Sequence, residues 1–167
     1  MQYAVGDPVV HPHIGAGTIV DTRHQEMVDG FEHYFVIEIP SRDSKIFVPM
    51  RKMEELGVRP VMSQEGLDRV FDILTDEPQI LPSDYKKRQA QVEEKLSLGQ
   101  SLQTAEVIRD LSWRQQVAHL TKKDARLLDQ GRRFLVGEVA VVTGADPDAA
   151  SKMIDEALAK ARPEESE

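Results

Sequence analysis

Five histidines are the residues of this 167-residue chain best suited to metal ligation or proton transfer. Two of them, His11 and His13, alternate within "HPHIG". Alternate residues of a strand point the same way, so such a pair can face one ion. Pro12 disturbs that geometry and no carboxylate follows at a ligand spacing, so the pair reads as polar residues of a turn and strand end. His24, His33 and His119 are scattered and suggest no shared site. With no cysteine the chain has no thiolate ligand, no thiol nucleophile and no disulfide. "HIGAGTIV" lacks the spacing of a dinucleotide loop and no G-K-[ST] occurs. There is no G-x-S-x-G elbow and no H-E-x-x-H. Glu54-Glu55 and Glu93-Glu94 are adjacent in sequence, point apart on a helix, and read as solvated surface. No enzymatic chemistry finds positive support, and neither a metal nor a cofactor is expected. The weakest of the readings kept open is a metal-dependent enzyme built on the histidines.

"LPSDYKKRQAQ", residues 81–91, is different. Tyr85 is followed by Lys86, Lys87 and Arg88 at what reads as a helix start. The positive end of the helix dipole lies there, so each cation costs about 0.3–1 kcal/mol. The formal charge of the chain is -8, yet residues 85–133 hold 11 Lys/Arg against 6 Asp/Glu. Residues 1–60 hold 6 against 9, and residues 144–167 hold 3 against 7. A local positive field on an acidic protein can attract phosphate at one face while the remainder repels it.

The elements that must position these residues fall into two groups with different periods. "GTIVDTRHQEM" and "HYFVIEI" are β-rich runs flanking "VDGFE", where Asp29-Gly30 signals a tight hairpin turn. Phe35, Ile37 and Ile39 share one face, with Tyr34, Val36 and Glu38 on the other. "SRDS" makes a second turn and "KIFVP" a third short strand, in which Phe47 lies opposite Ile46 and Val48. Short strands with closely spaced turns predict a small β-barrel. After "VRPVM" the period becomes 3.6. Ser63 caps a helix with Leu67, Val70, Phe71 and Leu74 at i, i+3, i+4, i+7. Ser83 or Asp84 caps a second, with Val92 and Leu96 inward. A third, from about Leu102 to His119, aligns Ala105, Ile108 and Leu111. Thr121 and Asp124 start a fourth in the manner of a capping box, with the stripe Leu128, Leu135, Val139 and Val142. Asp146 and Pro147 open the last, which buries Ala150, Met153, Ile154, Ala157 and Leu158. The terminal "RPEESE" should fray. The expected fold class is α+β: a β module over residues 1–60, then an all-α bundle over 61–167. The β module is small enough to lean on the bundle or on a partner.

Composition, 40% hydrophobic and 30% charged, argues against general disorder. No apolar run approaches 18 residues, so no transmembrane helix is expected. The N-terminus "MQYAVGDPVV" lacks the basic start and apolar core of a signal peptide. A cytoplasmic protein without a membrane partner, acting as a monomer, is the expectation.

"VGDPVVHPHIGAGTI", Val48-Pro49, "LGVRPV" and "SQEGLDRVFDIL", continued by "AEVIRDLSWR" and "RRFLVGEVA", resemble the CarD/CdnL family of bacterial transcription regulators over roughly residues 3–160. The β module also resembles the polymerase-binding domain of the transcription-repair coupling factor, whose motor motifs this chain lacks. The resemblance implies a Tudor-like N-terminal module that docks on the β subunit of bacterial RNA polymerase. It implies a helical domain that contacts promoter DNA in the minor groove at the upstream edge of the bubble, where a tryptophan wedges and helps keep the strands apart. Here the matching position is Tyr85, with less stacking area and a hydroxyl that reaches a base edge or phosphate. A wedge needs flanking backbone contacts, which Lys86, Lys87, Arg88, Lys122, Lys123 and Arg126 would supply, helped by helix N–H groups. Gln25, Met27 and Phe47 are the candidate polymerase contacts, on an exposed edge or face; in some relatives arginines match Gln25 and Phe47. Trp113 is expected to be mostly buried, and Arg114, Arg132 and Arg133 to be surface charges or intramolecular pairs. The alternative reading is an adaptor that docks on polymerase while its bundle binds another protein.

Overall fold

A computed structural model describes residues 2–161, so the expectation for "RPEESE" lies outside the described residues. The first half forms β1 (Pro8–His11), β2 (Gly15–Val28), β3 (Phe31–Ile39), β4 (Ser44–Pro49) and β5 (Arg59–Pro60). They make one antiparallel sheet in the order β4-β3-β2-β1-β5. The Asp29-Gly30 turn joins β2 to β3, with Gly30 at φ 86°, a conformation favourable only to glycine. β4 and β5 are the two edges and do not pair with each other, so the sheet is open and the expected closed barrel is corrected. The physical reason is β5 itself, two residues long and ending in Pro60, which has no N–H to extend a ladder.

The alternation read from β3 holds, with one addition. Phe35, Ile37 and Ile39 join Val9, Ile19, Val48, Met53 and Val58 in the core of the sheet. On the opposite face Tyr34 and Val36 are buried as well. The Tyr34 hydroxyl accepts from the Val28 N–H at 3.0 Å, which folds the hairpin tip back over it. Gly17 permits the tight approach of β2 and β3: a Cβ there would lie 2.1 Å from the Glu38 carbonyl oxygen.

The second half is five helices: α1 (Gln64–Thr75), α2 (Tyr85–Ser97), α3 (Ser101–Val117), α4 (Lys122–Thr143) and α5 (Pro147–Lys160). Ser63, Asp84, Thr121 and Asp146 each accept a backbone N–H from the first turn, as their residue types predict. The apolar stripes converge on one core containing Leu67, Val70, Leu74, Val92, Leu96, Ile108, Leu111, Leu135, Val139 and Ile154.

α4 packs on β1 and β2, where Val10 and Ala16 are fully covered. Arg59, the cross-strand neighbour of Val10, reaches from this face to Glu138 in α4. The pair is bidentate, with Nη1 and Nη2 each 2.8 Å from a carboxylate oxygen. The Met62 N–H donates to Glu138 at 2.8 Å, and Arg59 Nε donates to the Gly99 carbonyl at 3.2 Å. Glu138 has no exposed surface. Close beside it, Gly99 (φ 63°) ends α2 against Pro12, leaving no room for a Cβ. The sheet and the helices therefore share a fixed joint.

Removing one partner of a buried pair leaves the other charge uncompensated, typically at a cost of about 3 kcal/mol. Glu138→Ala should lower unfolding stability by about that amount in urea melts, with the Met62 amide exchanging faster. Arg59→Met combined with Glu138→Leu should recover most of the loss.

Candidate nucleic-acid interface

The cationic start of α2 divides into exposed and buried residues. Tyr85 is 52% exposed, and Lys86 and Lys87 are exposed beside it. Arg88 departs from the expectation: at 2% exposure it cannot face a phosphate. Its Nη2 lies 2.8 Å and its Nε 3.2 Å from the two oxygens of Asp124, while Nη1 donates to the Pro82 and Ser83 carbonyls at 3.1 Å each. Every side of the guanidinium is thus taken up inside the protein. Gln89 donates to Thr121 Oγ1 at 3.0 Å and to Asp124 at 3.3 Å.

Asp124 does two tasks at once. As third residue of α4 it accepts from the Thr121 N–H while Thr121 accepts from its own, a complete capping box. As counter-ion it holds Arg88. Together these bonds set the first turn of α2 against the first turn of α4. Tyr85 lies three and four residues before Arg88 and Gln89, hence on the rim of that contact. The penalty for cations at the α2 start is reduced by Asp84, whose carboxylate caps Lys87 N–H at 3.2 Å, since an anion at a helix N-terminus is favourable.

The start of α4 contributes Lys122, Lys123 and Arg126, all exposed. Lys123 pairs with Glu93 of α2 at 2.6 Å, both half exposed; such a pair is worth at most about 1 kcal/mol and opens readily. Lys123 and Arg126 border a cleft of about 690 Å³ between the helices and the β1–β2 turn, with Arg42 and Arg133 also on its walls. Trp113 is mostly buried, as expected, and lines a second cleft of about 330 Å³ with Arg109 and Leu158. Arg132 and Arg133 form intramolecular pairs with Asp155 and Asp129. Arg114 Nε is buried with no hydrogen-bond partner among the described residues.

The sheet presents the other candidate surface. Phe47 is 45% exposed on edge strand β4, cross-strand from Val36, while Ile46 and Val48 turn to the core. Gln25 and Met27 are exposed in the irregular part of β2 near the hairpin tip. An aromatic side chain on an open edge is a surface suited to a partner.

The His11 and His13 rings lie edge to face with centres 6.1 Å apart. The His13 N–H donates to His11 Nδ1 at 3.2 Å. Burial first, then His13 and Arg42, push the His11 imidazole below its usual range. His24 and His33, taken from sequence as unrelated, instead stack at 4.4 Å. Among the described residues no helix is long and apolar enough to cross a membrane.

The C-terminal domain of CarD matches residues 69–155, and the CarD-like/TRCF RID domain matches residues 3–62. The chain belongs to the CarD family. A relative from Bacillus subtilis (strain 168), named "Putative transcription factor YdeB", is 27% identical over 145 residues, covering 86% of this chain and 94% of the relative. The two matched regions meet near the Arg59–Glu138 joint, so the contact that orients the helices on the sheet links one family domain to the other.

Burial by itself would raise the Asp124 carboxyl, but the bonds from Arg88, the Thr121 backbone, Gln89 and the Thr121 side chain outweigh it and hold it at about 2, below the ordinary 3.8. The unfolded chain therefore takes up this proton first as pH falls. The stabilisation is complete above about pH 4 and is lost towards pH 2, roughly 2 kcal/mol in all. Asp124→Asn should be less stable than the parent at pH 7, and denaturant midpoints should show that difference shrinking between about pH 4 and pH 2.

Proposed function

We infer that this protein is a transcription regulator of the non-catalytic kind. It docks through its sheet on the β subunit of bacterial RNA polymerase and stabilises the open promoter complex through its helices. The observation that carries this reading is the exposed Tyr85 ring with Lys86 and Lys87, fixed beside the start of α4 by the buried Arg88–Asp124 pair. An aromatic on a rigid helix start, flanked by cations, is suited to entering a minor groove at the upstream fork of the bubble while ammonium groups meet phosphates on either side. Lys122 extends that set; Lys123 and Arg126 reach it from the cleft side. Arg88 acts inside the protein, as the fastening that aims the ring. The CarD-like/TRCF RID match supports the polymerase role of the sheet, with the Tudor-like module offering Phe47, Met27 and Gln25 at and near an open edge.

A second reading, the adaptor, is favoured by one feature. Ile80 is 92% exposed in the loop before α2, and Leu98 and Val117 are exposed at helix ends, which suits a protein partner for the helices. Salt-dependent crosslinking to promoter DNA separates the two, since only phosphate binding weakens steeply with salt.

With purified polymerase and a fork-junction promoter, Tyr85→Ala should shorten open-complex lifetime about five- to tenfold while leaving polymerase binding intact, a loss in line with one stacking contact. Unchanged lifetime would remove the wedge. Lys86→Ala and Lys87→Ala should each flatten the slope of log affinity against log salt by about one. Phe47→Asp should abolish pull-down by the β subunit without changing the thermal midpoint of the free protein.

A further inference from the structure

The β2–β3 hairpin places three ligand-type side chains together, none of them among the residues assigned to docking or to DNA contact. His24 and His33 are cross-strand partners, their rings stacked at 4.4 Å and 8° from parallel. Glu32 Oε2 lies 3.5 Å from His24 Nε2. One ligand atom from each of the three falls within 4.8 Å of the others, and all three residues are exposed.

The arrangement comes from an irregularity in the ladder. Val28 pairs with Phe31 across the turn, but the next partners are His24 and His33. Two extra residues on β2 are therefore accommodated in the stretch 25–27. Regular pairing from the turn would have set Glu26 opposite His33. The bulge instead slides His24 into that position. The tip is held from the other side by Arg51 and Lys52, each 5.0 Å from the centre of the Phe31 ring, and by the bond from Arg51 to the Gly30 carbonyl. The stem carrying the two imidazoles is thus anchored at its tip, and below His24 it continues in regular pairing with Phe35 and Val36.

We propose that His24, His33 and Glu32 form a binding site for a divalent transition-metal ion of the imidazole-preferring class, zinc above all. Two imidazole nitrogens and one carboxylate oxygen are a ligand set that zinc, nickel and copper accept and that magnesium and calcium do not favour. Three protein ligands leave a fourth tetrahedral position for water. Ligand atoms about 2.0–2.1 Å from zinc stand roughly 3.3 Å apart in tetrahedral geometry. Ligation requires the two imidazoles to tilt out of their parallel stack so that both lone pairs meet one ion, a rotation that the exposure of all three side chains allows. A bound ion would cross-link β2 to β3 immediately beside the bulge, fixing the conformation of residues 25–27. The site requires no catalytic step, and its metal binding is measurable on the free chain, although the stretch it would fix carries Gln25 and Met27 of the docking reading.

Titration of the full chain with cobalt(II), followed by its visible absorption and competed with zinc, tests this. One ion per chain is expected, displaced by zinc, with affinity falling at least about tenfold in His24→Ala and in His33→Ala. His11→Ala and His119→Ala should bind as the parent does. Absence of binding in the parent, parental affinity retained in His24→Ala or in His33→Ala, or loss of binding in His11→Ala or His119→Ala would each overturn the proposal. Both site histidines are on the surface, and circular dichroism of each variant confirms that a loss of binding is not a loss of fold.

Discussion

A carboxylate with no exposed surface, Glu138, decides how the two halves of this protein sit together. It lies in the C-terminal part of α4 and accepts three hydrogen bonds, two from Arg59 and one from the Met62 backbone. A lone buried charge would be prohibitively expensive, so the arrangement is viable only if sheet and helices stay in register. Apolar packing of Val10 and Ala16 under α4 supplies attraction without direction. The bidentate pair supplies direction, because a guanidinium and a carboxylate meet well in few orientations. The open sheet edge and the cationic helix starts are consequently set in one relative orientation by this pair.

The second buried pair, Arg88–Asp124, works at shorter range and resolves an apparent conflict in the α2 sequence. Three consecutive cations at a helix start oppose its dipole. One of them is neutralised internally, and Asp84 offsets the other two by capping the turn. What remains outside is an aromatic ring and two ammonium groups on a turn that cannot swing, since Gln89 and Arg88 both grip α4. Rigidity of this kind reduces the entropy lost when such a surface engages a partner.

Much of this architecture was legible in the chain. Helix starts were marked by Ser63, by Ser83 or Asp84, by Thr121 and by Asp146 because capping is a local interaction that a residue type and its neighbours specify. The apolar stripes of α1, α3 and α4 follow from period alone, as does the inward face of β3. The Asp29-Gly30 turn was equally plain. What escaped depends on contacts between residues far apart in sequence. Arg88 read as one more surface cation, since nothing local indicates that Asp124, thirty-six positions later, would bury it; the T-x-x-D spacing revealed the cap but not its second partner. Arg59 and Glu138 were unremarked for the same reason. His24 and His33 were hidden by the bulge, because counting outward from the turn pairs the wrong residues. Closure of the sheet was over-read from turn density, which says how often the chain reverses and not whether its last strand is long enough to complete the ring.

Gly99 gives α2 a further property. The helix begins at the tyrosine and ends two residues before a glycine pressed against Pro12 of the β1–β2 turn. Its thirteen residues span about 20 Å at 1.5 Å each. It is in effect a ruler between its two ends. Inserting one residue would lengthen it by a single rise, but would also turn the ring by about 100° relative to its abutment. Length in this helix is therefore tied to phase, and only changes near whole turns would keep the same side chain facing outward.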